Sequence, residues 1–356
     1  ARFFRAYFYF EKVKRFGEVP WFDTPLTSTD DRLYQGRTDR NTLLDNMLAD
    51  IDYAAQHLPA ATNVYKITKW TALALKSRMA LFEGTFRKYH GIAGYERYLQ
   101  LAADAAKDFM DNSPYTIYKE GNTPYMNLFA SKNAIKSEVI MALNYNIGLN
   151  IVHDLNRFFT SDGAKPGLNK KIVDCYLMYD GTRFTDKADY QTMGFYDEMQ
   201  GRDPRLAQTI VTPGYKRIGG TDVLSPSFSA ATTGYQIIKG VTTPADDAWH
   251  KSQNDFPLFR AAEVYLNYAE AKAELGTLTQ ADLDASILKI RQRVGMPGID
   301  MAAANATPDP YLSNEETGYP NVTGANKGVI LEIRRERTIE LFCEGFRYYD
   351  LIRWKA

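Results

Sequence analysis

Residues that usually carry chemistry are scarce in this 356-residue chain. Cysteine occurs only as Cys175 and Cys343, which excludes a disulfide-stapled scaffold and a four-cysteine zinc site. Both sit in apolar stretches, IVDCYLMY and IELFCEGF, so buried free thiols are expected. The histidines, His57, His90, His153 and His250, are scattered without the paired spacing of a zinc site. No Gly-x-Ser-x-Gly elbow, Walker loop or dinucleotide glycine pattern occurs. The residues therefore assign no catalytic group, no metal ligand and no cofactor. Asp30-Asp31 and Asp246-Asp247 lack the spacing of a calcium loop and are expected as solvated loop charges. Lys plus Arg equals Asp plus Glu, 43 against 43, so nothing draws the chain to nucleic acid. No run approaches the roughly 18 apolar residues of a membrane-crossing helix.

What the chain has is helical periodicity at both ends. Phe3, Ala6, Phe10 and Val13 share one face of a helix stopped by Gly17 and Pro20. Asp39 is placed to cap a helix through Leu58, with Leu44, Leu48, Ile51, Ala55 and Leu58 turned inward. Thr68 caps the next, whose stripe is Ala72, Leu75, Met79, Phe82 and Phe86. Gly84 in its middle predicts a kink or a close contact, because glycine costs about 1 kcal/mol against alanine there. Tyr98, Leu101, Ala105 and Phe109 mark a fourth helix. A second block starts at Pro257, with Phe259, Ala262, Leu266, Ala269 and Ala273 in one helix and Leu283, Ile287, Ile290 and Val294 in another. Antiparallel pairs with alanines at the crossings read as tetratricopeptide-like units.

Between the blocks, residues 113–256 are rich in Gly, Pro, Asn, Asp, Ser and Thr, and their periodic stretches are short. Val139–Tyr145 and Gln236–Lys239 are expected as strands and Lys170–Tyr179 as a short helix. The region is also aromatic, in a chain with 24 Tyr and 19 Phe. Tyrosine is useful at binding surfaces, since it gives contact area at low entropy cost and keeps a polar tip.

The C-terminal stretch GVILEIRRERTIELFCEGFRYYDLIRWK reads as a helix, a glycine turn at Gly345 and a short aromatic helix. Glu332, Glu336, Glu340 and Glu344 recur every four residues. Like charges so spaced repel, so the row needs cations, and Arg334, Arg335, Arg337 and Arg347 lie within reach. A di-metal carboxylate site would add a Glu-x-x-His pair on two helices, and no histidine occurs here. The row is expected to be structural.

The ordered run from Glu332 to Trp354 resembles the closing signature of the SusD/RagB family, surface glycan-binding lipoproteins of Bacteroidota. The resemblance extends to FGEVP at 16–20, to IVDCYLMYDG at 172–181, to RDPRL at 202–206 and to FRAAEVYLNYAEA at 259–271. It implies one mostly α domain over residues 1–356. Tetratricopeptide-like helix pairs in 1–112 and 257–356 would form the scaffold. Long irregular loops and a few short strands in 113–256 would be the elaboration. The family's N-terminal portion, with its signal peptide and lipidated cysteine, is expected to lie before Ala1.

The resemblance also implies a function without catalysis. Such a protein binds oligosaccharide or polysaccharide at the outer-membrane surface through a lipid anchor. It hands the glycan to a SusC-type TonB-dependent transporter for nutrient uptake. A pyranose offers an apolar C–H face for aromatic stacking and a hydroxyl rim for polar side chains. Aromatics in irregular segments are therefore the candidate glycan-binding residues. They are Trp249, flanked by Asp246, Asp247, His250, Lys251 and Asn254, then Tyr235, Tyr215 and Tyr145, the last with Asn144 and Asn146. Two other classes compete: a helical repeat adaptor that binds a protein or peptide, and a glycan-active enzyme.

Overall fold

A computed structural model describes residues 1–161 and 164–356. The first block holds α1 (Arg2–Phe16), α2 (Arg40–His57), α3 (Lys69–His90) and α4 (Tyr95–Asn112). The middle carries α5 (Pro124–Ala130), β1 (Val139–Leu143), α6 (Leu155–Thr160), α7 (Lys170–Cys175), α8 (Phe195–Glu198) and β2 (Phe256–Arg260). The last block runs α9 (Ala261–Leu275), α10 (Gln280–Ala285), α11 (Ile287–Arg291), α12 (Met301–Ala306), α13 (Pro310–Ser313), α14 (Lys327–Glu340) and α15 (Arg347–Trp354). The architecture is mostly α, with antiparallel β1–β2 as the one sheet among the described residues.

Local chemistry starts α2 and α3 where expected. Phe259, however, lies in β2 rather than in the helix expected from Pro257, and the helix expected over Leu283–Val294 breaks at Ser286. The Asp39 carboxylate accepts from the backbone N–H groups of Asn41 and Thr42 at the head of α2. Thr68 and Thr71 form a reciprocal capping box on α3. Gly91 and Gly276 end α3 and α9 in the left-handed conformation. The apolar faces then meet in one large core. α3 packs on α4, α9 lies against both, and α15 closes on α3. Helices from both sequence blocks thus pack against one another.

Gly84 is the contact point of α3 and α4. A Cβ there would lie 2.8 Å from the Leu99 side chain and 2.9 Å from its backbone nitrogen. Such a distance is impossible without separating the helices. Gly84→Ala gains about 1 kcal/mol of helix propensity but overpacks the crossing at a cost of about 1–3 kcal/mol. A net loss of up to about 2 kcal/mol is expected in urea unfolding. A stabilised variant would show that the crossing widens freely.

The carboxylate row of α14 is buried, and its cations come from elsewhere than expected. Glu336 accepts from Arg205 at 2.5 Å and Arg291 at 2.8 Å. Glu340 accepts from Arg260 at 2.7 Å and Arg205 at 3.0 Å, with Arg293 at 3.1 Å. Glu344 lies just past the helix end and accepts from Arg260 and Lys239. Only Glu332 pairs with a neighbour on its own helix, Arg335, which also meets Asp309. Arg334 turns instead to Glu274, Arg337 to Asp350, and Arg347 to Tyr319 and Thr338. The reason is geometric: a helix that buries every side projects successive arginines toward different neighbours.

This cluster ties the middle region to the scaffold. Asp203, Arg205 and Lys239 lie in the irregular segment, and Glu138 immediately precedes β1. The Arg260 guanidinium uses all five of its N–H groups on Glu138, Glu340, Glu344 and the Glu340 carbonyl. Satellite cores sit beneath the loops, around Tyr176, Leu206, Ile210 and Ile237 and around Met126, Val211, Ile238 and Val241. The stretch Gln236–Lys239 makes isolated antiparallel bridges, Gly167 with Gln236 and Ile210 with Ile237, rather than the expected strand. Both cysteines are free, but Cys343 is exposed rather than buried. It stands in the turn after α14 with φ 59°.

Candidate functional site

Four of the six candidate residues fall in two places on the loop face, one around Tyr145 and one around Trp249. At the first, Tyr145 lies two residues past the end of β1. Its ring meets His153 edge-on at 4.6 Å and Phe256 at 5.8 Å, centroid to centroid. The buried Asp255 carboxylate fixes the surrounding backbone. It accepts from the N–H groups of Tyr145 at 3.0 Å and Ala134 at 2.9 Å, from the Tyr65 hydroxyl at 2.6 Å and from the Asn144 amide at 3.4 Å. One carboxylate thereby holds the loop from Asn144 against the Tyr65 segment. His153 contacts the Asn254 carbonyl through Nε2 at 3.0 Å, and burial lowers its pKa, which favours the neutral ring.

Asn146 uses its side-chain oxygen to accept from the Gly148 N–H at 2.8 Å. It caps the turn Ile147–Leu149, and a bridge from Asn146 to Ile151 closes the loop. The result is a short finger with Ile147, Leu149 and Ile151 exposed. Asn144 and Asn146 remain on the surface beside it.

At the second, Trp249 is 51% exposed. The edge-to-face contact with Phe158 has a centroid distance of 5.9 Å, and the Arg157 guanidinium stands 5.5 Å from the indole. The loop beneath is braced. Asp247 pairs with Arg217, Asp246 accepts from the Thr242 hydroxyl at 2.6 Å, and the His250 N–H donates to Asp154. An indole held in this way is a preorganised, half-open aromatic surface. The acidic residues at 246–247 are therefore structural anchors, and Asp30 is likewise tied to Arg32.

Tyr215 and Tyr235 lie elsewhere. Tyr215 is half-buried over the Met126–Val241 satellite core, where burial raises its pKa. Tyr235 packs near Phe195 and donates its hydroxyl to Glu198 at 2.9 Å. Burial first, and then the Glu198 carboxylate, push that hydroxyl up to about 12. Among the described residues no group of three or more His, Cys, Asp and Glu side chains is arranged to hold a metal ion.

Behind Tyr145 opens a cleft of about 370 Å³. Its walls are Phe129, Leu143, Tyr145, Leu155, Phe159, Phe256, Pro257 and Leu258, and Lys239, Gly240, Cys343, Glu344, Asn254 and Asp255 complete it. Lys239 is saturated: its ammonium donates to the Tyr125 hydroxyl at 2.8 Å, the Phe342 carbonyl at 2.6 Å and Glu344 at 2.7 Å. Burial lowers its pKa, against the pull of Glu344. Sequence reading missed His153, Phe158, Phe159 and Phe256 as parts of this face. The pair Phe158-Phe159 on a six-residue helix carries no periodicity that tells the outward ring from the inward one.

Comparison with known proteins follows the same lines. Residues 137–356 match the model of the SusD family, and residues 1–81 match a model described as starch-binding associating with outer membrane. A SusD-like protein of Formosa agariphila is 24% identical over 389 residues, covering 99% of this chain and 63% of its own length. A second from the same organism is 24% identical and 64% covered. The chain thus spans less than two thirds of these curated relatives. Among solved structures, a SusD-like carbohydrate-binding protein of Bacteroides fragilis superposes with a TM-score of 0.76 at 25% identity, covering 99% of this chain and 66% of that one. A SusD-like protein of the same species gives 0.74 at 24%, covering 99% and 68%. A laminarin-binding SusD-like protein gives 0.61 at 20%, covering 99% and 69%.

Proposed function

This chain belongs to the SusD family, and from that premise we propose that it captures oligosaccharide or polysaccharide at the cell surface for uptake. The observation that carries the reading is Trp249, a half-exposed indole on a loop braced by Asp154, Asp246 and Asp247. An aromatic face presented rigidly to solvent suits the C–H face of a pyranose, since little ordering remains to be done on binding. Tyr145, with Asn144 and Asn146 on its loop, supplies a second aromatic with amides for the hydroxyl rim. Tyr215 and Tyr235 are secondary candidates, because each already spends part of its ring on packing.

The role is binding without turnover. It is supported by a fold shared with a carbohydrate-binding relative and by a site built of aromatics and amides. We place the protein at the outer membrane, held by a lipid anchor, with a SusC-type TonB-dependent transporter as the recipient of the glycan. The family description of association with the outer membrane supports that location. Among the described residues no helix is long and apolar enough to cross a membrane.

A glycan array followed by affinity gels containing the retained polysaccharides tests the proposal, and absence of any retained glycan would overturn it. Trp249→Ala is expected to weaken binding roughly five- to hundred-fold, the loss of about 1–3 kcal/mol typical of a stacked aromatic anchor. Its melting temperature is expected to stay near that of the parent, because half of the indole is already in water. Unchanged affinity with a lowered melt would assign Trp249 to packing.

A further inference from the structure

We infer that the recess between α1, α3, β2 and α15 is a binding site for a small organic carboxylate, seated on Arg78 and Arg337. The inference does not rest on the glycan reading, and neither Trp249 nor Tyr145 lines the recess. Its volume of about 310 Å³ falls at the low end of the roughly 300–1,000 Å³ spanned by small-ligand sites. Leu258, Phe346 and Tyr349 give it a half-buried apolar wall for the body of a ligand. Two guanidinium groups stand against one ring of that wall. The Cζ atom of Arg78 lies 4.9 Å from the Phe346 centroid, and that of Arg337 lies 5.4 Å from it.

Both guanidinium groups keep donors in reserve. Arg78 donates through Nε and Nη2 to Glu263, each at 2.6 Å, and through Nη2 to the Leu258 carbonyl at 2.8 Å. Its Nη1 makes no hydrogen bond among the described residues and is not sealed off, the side chain being 12% exposed. The Tyr7 hydroxyl stands nearby, where burial raises its pKa against the pull of Arg78. Arg337 donates through Nε to both Asp350 oxygens, at 2.9 and 3.0 Å, and through Nη1 to Asn267 at 2.9 Å. Its Nη2 is likewise without a partner and unsealed, on a side chain only 3% exposed. Solvent alone serves these two edges, and a bond from guanidinium to a carboxylate is about twice as strong as a neutral one. The planar pair of carboxylate oxygens also matches the guanidinium fork. The charge agrees. The lining cations Lys14, Arg15, Arg78, Arg337 and Arg353 are met by Glu11, Glu263, Glu270 and Asp350. Glu344 is spent on Lys239 and Arg260. The charge left over is that of Arg15, which bonds only the Tyr349 hydroxyl, at 3.1 Å, and a monoanion balances it.

Titration of the whole chain at low salt tests this, with ligand-observed NMR as the readout. Benzoate, glucuronate and galacturonate are the acids, benzamide and methyl glucoside their neutral counterparts, and sulfate the bare anion. At least one acid is expected to bind, its neutral counterpart is not, and sulfate should bind at least about ten-fold more weakly than the acid. A bound uronate would mark a glycan as the source of the carboxylate and bound benzoate a free acid, and either supports the site. Arg78→Lys keeps a cation for Glu263 but removes the spare edge, so it is expected to weaken the acid at least about ten-fold. Should that variant melt early, Arg15→Glu decides, because it reverses a charge at an exposed position, and a loss of the same size is expected. The site is overturned if no acid binds, if acids and neutral counterparts bind alike, or if sulfate binds as tightly as the acids. Binding that survives both arginine variants overturns it too. None of these outcomes bears on glycan capture, which the array and gels decide separately.

Discussion

Replacing Arg260 with methionine is expected to cost about 3–5 kcal/mol of folding stability, the penalty for removing one partner of a buried ion pair. The Arg260 side chain is 2% exposed, and it bonds Glu138, Glu340 and Glu344 at 2.7–3.0 Å. Asp203, Glu138, Glu336, Glu340 and Glu344 face Arg205, Lys239, Arg260, Arg291 and Arg293, so the cluster as a whole is neutral. Methionine leaves it one charge negative among side chains that are almost wholly shielded from water. At roughly 2–4 °C per kcal/mol for a large domain, the melting temperature should fall by roughly 6–20 °C. Arg260→Met combined with Glu344→Gln restores neutrality and should recover part of the loss, a coupling that a double-mutant cycle reads directly. Additive single effects would show that the cluster is not an electrostatic unit.

The helical scaffold was legible because its signals are local. Asp39 and Thr68 cap within three residues, Gly84 interrupts an otherwise continuous stripe, and the apolar faces repeat at helical spacing. The partners of the glutamate row were not legible. Proximity in sequence pointed to Arg334, Arg335, Arg337 and Arg347, yet Glu336 and Glu340 are met by Arg205, Arg260, Arg291 and Arg293. Pairing across 45 to 135 residues leaves no periodic trace in the chain. The loop region shows the same divide. The polar neighbours of Trp249 spoke for an exposed indole, and it is half-exposed. Tyr215 and Tyr235 stand in equally irregular surroundings but are half-buried, because satellite cores lie beneath the loops and composition does not reveal them. The cleft was invisible for a related reason. Its walls come from α5, β1, α6 and β2, brought together only by the fold.

Acid should unfold this protein steeply, starting just below pH 5. Burial alone would raise Glu270, but Arg353, Arg337 and Arg334 outweigh it and hold the carboxyl at about 2. Glu336, Glu340 and Glu344 are likewise depressed, in each case against burial, by Arg205 and Arg291, by Arg293 and Arg260, and by Arg260 and Lys239. The unfolded chain takes up protons near the ordinary value of 4.5, while the folded chain resists. The native state's advantage is thus complete above about pH 5 and is lost as the pH falls through the folded values. At about 1.4 kcal/mol per unit, Glu270 alone contributes roughly 3 kcal/mol. The other carboxylates add to it less than independently, because they share cations. Thermal melts at pH 7, 5, 4 and 3 should show little change across the first interval and a collapse across the last two. Moderate salt should leave the profile in place, since buried pairs are screened far less than surface ones. A melting temperature that holds at pH 3 would show that these carboxylates are not depressed. A collapse that 0.5 M salt abolishes would place the responsible groups on the surface instead of around α14.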